Sequence, residues 1–376
     1  MSIAERKRGM ILGSLVADAA TMGFHWLYDQ DRLRALAPDA PEFRAPSSAD
    51  FEGVPGYFAH DARRVGDFSQ YGEQALVMLR ACAVPVGYST ATYAQKFRQH
   101  FGYGGAYVGY IDRPTRDTLN NMTSFEQAAQ AACRAVDPSI DDVTHNAIMA
   151  KVLSNRAMQS GAALRDALFG AVKRSYDDAA LVNYAVKLSE VVEENSPPPG
   201  ADDVQLPAVS KLPVLVALHY DAPDLPRLVE EAVRVTNNSD VAVRYAQVVA
   251  LLLKETIKTG GLPDLTAHVG AAPDDVAQAL NRALARPDDT TEAVTADIGM
   301  ICNLDTGLPS VFHNLSQASS FKEAVRTNIY AGGDNCGRSI ILGAVLGVMF
   351  GVPEDWTRQL VQREAVESLM TEAGLS

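Results

Sequence analysis

The 376-residue chain carries 33 Lys and Arg against 46 Asp and Glu, a formal net charge of −13, and such a field repels nucleic acid and anionic lipid, which sets both aside as partners. Hydrophobic residues reach 47% while aromatics are only 7%. That alanine-rich balance favours close-packed helices over a sandwich or barrel, whose strands want β-branched and aromatic residues.

In chain order, Arg6, Lys7 and Arg8 precede an apolar stretch at 10–20. Asp18 interrupts it and no small-residue cleavage site follows, so it reads as a first helix and not as a signal peptide. No segment holds about 18 uninterrupted apolar residues, so no membrane span is expected. Helical spacing covers 3–20, 71–83, 91–100, 124–135, 141–155, 161–175, 178–194, 204–219, 224–235, 240–259, 273–285, 310–318, 321–330 and 338–350. Alternating strand patterns are absent, which makes the expected fold all-α, a set of orthogonally packed helices in one domain over 1–376. The Pro-, Gly-, Ser- and Asp-rich stretch 36–70 is a long irregular connection, and a connection of that length suggests a lid. The proline run at 196–200 reads as a surface connection. Cys82, Cys133, Cys302 and Cys336 form no C-x-x-C pair. They read as reduced thiols of a cytoplasmic protein and not as a disulfide framework or a zinc site.

Small residues four apart mark two helices: Gly9, Gly13 and Ala17 early, and Gly343, Gly347 and Gly351 late. Glycine inside a helix costs roughly 1 kcal/mol against alanine, so both stripes suit close backbone approach, with the two helices central and in contact. Asp18 on the apolar first helix is followed by His25, Trp26, Tyr28 and Asp29, either a cleft wall with an aromatic platform or a packed helix end. Ser69 or Gln70 suits the cap of the helix that follows. The run Gly332-Gly333-Asp334-Asn335-Cys336-Gly337-Arg338 enters another apolar helix. Paired glycines allow a sharp turn, Asp334 and Asn335 suit the N-cap, and the helix start could orient a ligand. Cys336 in that field, near Arg338, is expected to have a lowered pKa.

The opening Gly9–Ala19 segment resembles the N-terminal signature of ADP-ribosylglycohydrolases, and Gly332-Gly333-Asp334 with its Gly-studded helix resembles their C-terminal motif. Within that superfamily the His25-to-Asp29 run, Tyr71-Gly72-Glu73, Asp203-Val204-Gln205 before Lys211-Leu212-Pro213, and Gly332-Gly333-Asp334-Asn335 resemble the branch of J1 crystallins and selenoprotein J. The resemblance implies an ADP-ribosyl-type small-molecule substrate and a site including Asp18, Asp203 and Asp334. Trp26 or Tyr28 would stack on a ring, and His25, Asp29, Tyr71, Gly72, Gln205, Gly332, Gly333, Asn335 and Arg338 would lie at the ligand. Relatives that hold two magnesium ions use an early Thr-Asp-Asp and a late Asp-x-Asp-Thr cluster. Here Ser69-Gln70-Tyr71 stands at the first, and Cys336 and Gly337 replace the second acid and the threonine. Too few hard oxygen ligands remain for a pair, which leaves no metal or a single weakly held magnesium at Asp334, with Asp203. Three readings stay open: hydrolysis of an ADP-ribosyl or related N-glycosidic bond, a thiol-dependent hydrolase using Cys336 with His25 or His313 as base, and a non-catalytic binding or structural homologue, any of them oligomeric or not.

Overall fold

A serine with a glutamate three residues later starts the first helix. Ser2 Oγ accepts from the Glu5 N–H, and the Glu5 carboxylate accepts from the Ser2 N–H at 2.6 Å, which satisfies two otherwise orphaned donors. From this cap α1 (Ile3–Thr21) runs inward and is buried on nearly every side beyond Gly9, as is α14 (Asn335–Met349) near the other end of the chain. A helix apolar all round belongs in the middle of a protein, and these two lie against each other there. A Cβ on Gly13 would sit 2.2 Å from the Gly343 carbonyl oxygen, and one on Gly347 2.0 Å from that of Gly9. The backbones therefore touch through hydrogen alone. Gly351, the third member of the late stripe, packs against nothing; it follows the helix at φ 76° and ends it.

The computed structural model describes residues 1–85, 87–136, 138, 139, 141–143, 187 and 200–375. The helices read at 141–155, 161–175 and 178–194 and the connection at 196–200 lie almost wholly outside the described residues. Around the central pair pack α2 (Gln30–Leu36), α3 (Gln70–Cys82), α4 (Thr90–Phe101), α5 (Arg113–Val136), α6 (Leu212–His219), α7 (Leu225–Arg234) and α8 (Asp240–Thr259), followed by α9 (Leu265–Gly270), α10 (Asp274–Leu284), α11 (Thr291–Ile298), α12 (Leu304–Gln317), α13 (Phe321–Tyr330), α15 (Glu354–Thr357) and α16 (Arg363–Glu372). The protein is all-α: among the described residues the only β pairing is three isolated bridges. No helix there is long and apolar enough to cross a membrane. One connected set of buried apolar side chains runs from Met10 to Leu375.

Two element boundaries differ from the sequence reading in ways that shape the cleft. The helix read from Val204 begins only at Leu212, because 203–206 instead lies antiparallel to 302–304, with Leu206 N donating to Cys302 O and Leu304 N to Val204 O. The helix read from Ser124 begins at Arg113, where Pro114 sits in the first turn and needs no partner for a missing N–H.

The stretch 36–70 is tied down at several points. Arg44 pairs with Asp50, Arg63 donates to the Phe68 carbonyl and to Glu73, and Val361 N donates to Gly66 O. Its most exposed part is the turn at 52–57.

Candidate functional site

The Gly332-Gly333 turn gathers three distant strands of chain. Both glycines have positive φ, 72° and 64°. A Cβ on Gly333 would lie 2.3 Å from Met300 O, so only glycine fits. Gly333 N donates to Leu27 O, Trp26 N to Gly333 O, and Asp334 N to Met300 O. The turn thus locks 26–27 and 300 against the start of α14.

Asp334 caps that helix and is completely buried. Its Oδ1 accepts from the Gly337 N–H at 3.0 Å and faces His25 Nε2 at 2.9 Å; its Oδ2 accepts from the Tyr71 hydroxyl at 2.7 Å. Burial pushes the carboxyl pKa up, but the hydrogen bonds from His25, Tyr71 and the Gly337 amide outweigh it, and the net shift is downward. The other nitrogen of His25 lies 2.7 Å from His60 Nε2. One of these two rings donates to the other, and His60 Nδ1 is buried and has no hydrogen-bond partner. Burial, then the neighbouring His25, holds the His60 pKa well below that of an ordinary histidine. The result is a fixed chain, Asp334–His25–His60, beneath the cleft.

Two further carboxylates reach the same place. Gln70 and Tyr71 are adjacent at the start of α3: while Tyr71 binds Asp334, Gln70 donates to Asp112 at 2.9 Å and accepts from the Asp112 N–H. Asp112 also caps α5 through the Thr115 N–H. Burial, reinforced by the charges of Asp203 and Asp334, raises its pKa to about 6. Asp203 takes hydrogen bonds from both the amide and the side chain of Gln205, from Asn237 Nδ2 at 3.3 Å and from Arg113 at 3.3 Å. Its pKa is raised, by burial above all.

Close to His25 and Asp112 in the chain stands a trio of rings. Trp26 contacts Tyr110 edge-on at 4.9 Å between centroids and Tyr57 at 5.7 Å, and Tyr57 and Tyr110 are themselves 5.7 Å apart. Trp26 holds φ at 64°, a strained value for a bulky residue, clamped by its hydrogen bonds to Gly333 and Tyr57. Its indole N–H is buried, with the Cys302 thiol as its neighbour and no oxygen or nitrogen partner. Tyr28 is half-buried nearby, and burial raises its phenol pKa to about 12.

Several residues singled out in the sequence sit elsewhere or do other work. Asp18 lies a layer deeper, fully enclosed. Its carboxylate takes the Ser69 N–H and hydroxyl at 2.8 and 2.5 Å, and a Cβ on Gly72 would strike it at 2.3 Å. Gly72 is therefore small to admit Asp18. Asp29 caps α2 through the Arg32 N–H. Arg338 is sealed beneath the turn, donating to the Gly332 and Asn328 carbonyls and to the Asn328 side chain, and Asn335 braces Phe24 O and Asn328.

Cys336 reverses its expectation. The thiol is buried against Thr21, 3.4 Å from its hydroxyl. Burial, and then the Asp18 charge, pushes its pKa well above the usual thiol value. The side chain points into the α1 seam, so the favourable field of the helix start is spent on Asp334. His313 bonds Thr291 and the Arg286 carbonyl and His25 bonds Asp334 and His60, so neither candidate base is paired with this sulfur. The thiol at the cleft is Cys302, half-buried; burial and the Asp334 carboxylate keep it protonated. His60, Asp112, Cys302, Tyr57 and Tyr110 were not read from the sequence. Asp112 alone left a signal, as an acid directly before a Pro-containing helix start.

The donor set does not fit magnesium. Both oxygens of Asp334 are engaged by protein donors, and the two side chains at the early acid positions, Gln70 and Tyr71, offer hydrogens to carboxylates where an ion would need lone pairs. Among the described residues no three His, Cys, Asp or Glu side chains converge to hold a metal.

A family model described as ADP-ribosylglycohydrolase matches residues 1–198 and 199–375. Crystallin J1A of Tripedalia cystophora is 27% identical over 360 residues, 94% of this chain and 91% of that protein. Crystallin J1B of the same animal is 25% identical over 388 residues, covering 97% and 95%. A solved structure titled ADP-ribosylglycohydrolase-related protein complex superposes with a TM-score of 0.53 over 99% of this chain and 98% of that one, at 16% identity; this likeness concerns the fold.

Proposed function

The chain belongs to the ADP-ribosylglycohydrolase family, and on that footing we propose that it hydrolyses an ADP-ribosyl or related N-glycosidic bond without the magnesium pair. The observation that carries this reading is that Asp112 lies within the electrostatic reach of both Asp203 and Asp334, three carboxylates from distant parts of the chain, with the Trp26–Tyr110 ring contact two residues before Asp112. Cleavage of such a bond builds positive charge at the ribose C1. Asp334, held ionised by His25 and Tyr71, supplies a fixed negative charge from the floor. Its pKa is lowered whereas burial raises those of Asp112 and Asp203, so proton transfer falls to the other two. Asp112, with its pKa near 6, can exchange a proton close to neutral pH. Asp203, kept in contact with Arg113, is the candidate that activates water. Trp26, Tyr57 and Tyr110 provide faces for a planar ring of the substrate. Cys82, Cys302 and Cys336 are free thiols, in keeping with a cytoplasmic setting.

The test is thermal unfolding with ADP-ribose, with and without magnesium, followed by hydrolysis assays of ADP-ribosyl compounds in the presence of a chelator. A stabilisation of a few degrees at saturating ligand, unchanged by magnesium, is expected, with turnover that survives chelation and drops on the order of 100-fold in Asp112→Asn or Asp203→Asn. A shift that requires magnesium, or no shift and no turnover, would sink the reading. Two observations favour a second, non-catalytic reading: Asp334 is saturated by its own protein's donors, and the two relatives named crystallin span nearly the whole chain. Binding of ADP-ribose with no turnover of any offered substrate would decide for it.

A further inference from the structure

Lys211 is wholly buried, and the cleft chemistry above does not use it. An ammonium in such a place is expensive, and a methionine of similar length would avoid the penalty. Among the described residues no carboxylate is ion-paired with it. Its Nζ donates to the Thr236 hydroxyl. That hydroxyl in turn donates to Asn237 Oδ1 at 2.8 Å, and Asn237 Nδ2 donates to Asp203 Oδ1 at 3.3 Å. Every hydrogen in the series points the same way, from the lysine towards the Asp203 carboxylate. With Lys211 charged and Asp203 ionised the order is forced: an ammonium can only donate, so the threonine hydroxyl passes its own hydrogen onward, and the amide presents its oxygen to threonine and its NH2 to the acid. Lys211, Thr236 and Asn237 are all at or near complete burial, and Asp203 is 5% exposed at the cleft end. The backbone fixes this geometry independently. Asn238 N donates to Ala201 O, Thr118 Oγ1 donates to Thr236 O, and 201 and 237 form a parallel bridge.

We propose that Lys211, Thr236 and Asn237 form a one-directional hydrogen-bond relay that positions Asp203 for its task in the cleft. Lys211 is a positioning residue, acting through two intermediates and never touching substrate. Burial lowers its own pKa to about 7, and the facing Asp112 opposes that fall, so its charge also belongs to the field in which the two proton-exchanging acids work. The other charged groups bearing on those acids are Asp334 on Asp112 and Arg113 on Asp203. Aligned, polarised chains of this kind strengthen their last member, and a carboxylate fixed by Gln205 on one side and this relay on the other has a single orientation.

This inference rests on the hydrolase reading, and its test separates the two. Thr236→Val keeps the shape of the side chain and cuts the relay, Thr236→Ser keeps the hydroxyl, and Lys211→Met removes the source. Steady-state kinetics on an ADP-ribosyl substrate that the wild type turns over, with selective 15N labelling of asparagine, supply two readouts. Thr236→Val and Lys211→Met should lower kcat on the order of 10- to 100-fold with KM nearly unchanged, while Thr236→Ser restores kcat. In Thr236→Val the Asn237 side-chain NH2 should shift and exchange faster with the melting temperature held. A kcat within twofold of wild type in Thr236→Val, or a Thr236→Ser variant as impaired as the valine, overturns the relay. If the wild type turns over nothing, the hydrolase reading fails, and the Asn237 NH2 signal alone decides the relay: altered in Thr236→Val it stands, unaltered it falls.

Discussion

The same two helices meet twice, and the two meetings obey opposite chemistry. Along their middles α1 and α14 touch at Gly9, Gly13, Gly343 and Gly347, with carbonyl oxygens where side chains would be. One turn beyond, the α1 end carries Asp18 and leads to His25, and the α14 start carries Asp334 and Arg338, four ionisable groups at 1% exposure or less. The dry seam tolerates no added atom; the polar end tolerates no lost hydrogen bond. Rigidity in the first makes precision in the second possible, because hydrogen bonds of 2.7–2.9 Å between His25, Tyr71 and Asp334 require backbones that do not drift. Within the polar end, Asp18 and Asp334 show that burial alone does not set a carboxylate's charge. Asp18, held only by Ser69, is raised to about 7, whereas Asp334, held by three donors, is lowered.

The largest effect should follow from breaking the seam. Gly13→Val places a Cβ 2.2 Å from the Gly343 carbonyl oxygen and 3.0 Å from the Gly347 Cα. Backbone on both sides cannot yield as a side-chain tip can, so the loss should be about 4 kcal/mol or more, seen as a collapse of the urea midpoint or failure to fold. Gly351→Ala, from the same sequence stripe but outside the seam, should lose only what its positive φ demands, roughly 1 kcal/mol. Equal losses at the two positions would mean that the stripe, and not the close approach, carries the effect.

That contrast also marks what could be read from the chain. The seam was legible because a four-residue glycine period has one physical use in a helix, and Ser69 and Asp334 were legible as caps because short oxygen-bearing side chains before an apolar run satisfy helix N–H groups. The site was legible only where it coincided with such local signals. His60 and Tyr57 sit in an irregular stretch with no period to betray them. The placing of Cys302 depends on 203–206 pairing with 302–304, a contact about 100 residues apart in sequence that no local pattern encodes. Cys336 misled for a related reason: its position at a helix start was correct, but which way the side chain faces depends on the packing of α1.

Smaller, and opposite in sign at the two carboxylates, is the response to pH. Asp18 has a folded pKa of about 7 against 3.8 in an ordinary aspartate. Its contribution to stability is therefore complete below 3.8 and is lost as pH rises to about 7, where the folded protein must ionise a group without solvent. Asp112, raised to about 6, adds a slope of the same sign. Asp334 is lowered, so its contribution is present above the ordinary aspartate value and is lost as pH falls through its folded pKa. Urea midpoints across this range should show Asp18→Asn flattening the loss on the neutral side and Asp334→Asn flattening the loss on the acid side. The size should be on the order of 1–4 kcal/mol for Asp18. If both variants flatten the same limb, the donor count does not separate the two groups.

The smallest effect concerns two thiols, Cys302 outside the helix pair and Cys336 between the two helices. Cys302 is half-buried at the cleft and Cys336 wholly buried at the seam, and both are kept protonated by burial first and by a nearby carboxylate second. Thiolate is the reactive form, so neither should be fast, yet they should differ in kind. Cys302 can meet a small disulfide reagent without any opening of the fold, and its rate should climb with pH as thiolate forms. Cys336 can meet it only when α1 and α14 part, so its rate should follow the opening equilibrium and rise with urea. Because its sulfur faces the Thr21 and Ser69 hydroxyls, Cys336→Ser should leave turnover within about twofold while shifting stability by roughly 1 kcal/mol. Labelling followed by peptide mass spectrometry reads both sites in one sample. Equal, urea-independent rates at Cys336 and Cys302 would show that the seam opens as easily as the cleft, and the division between a rigid support and a working surface would have to be given up.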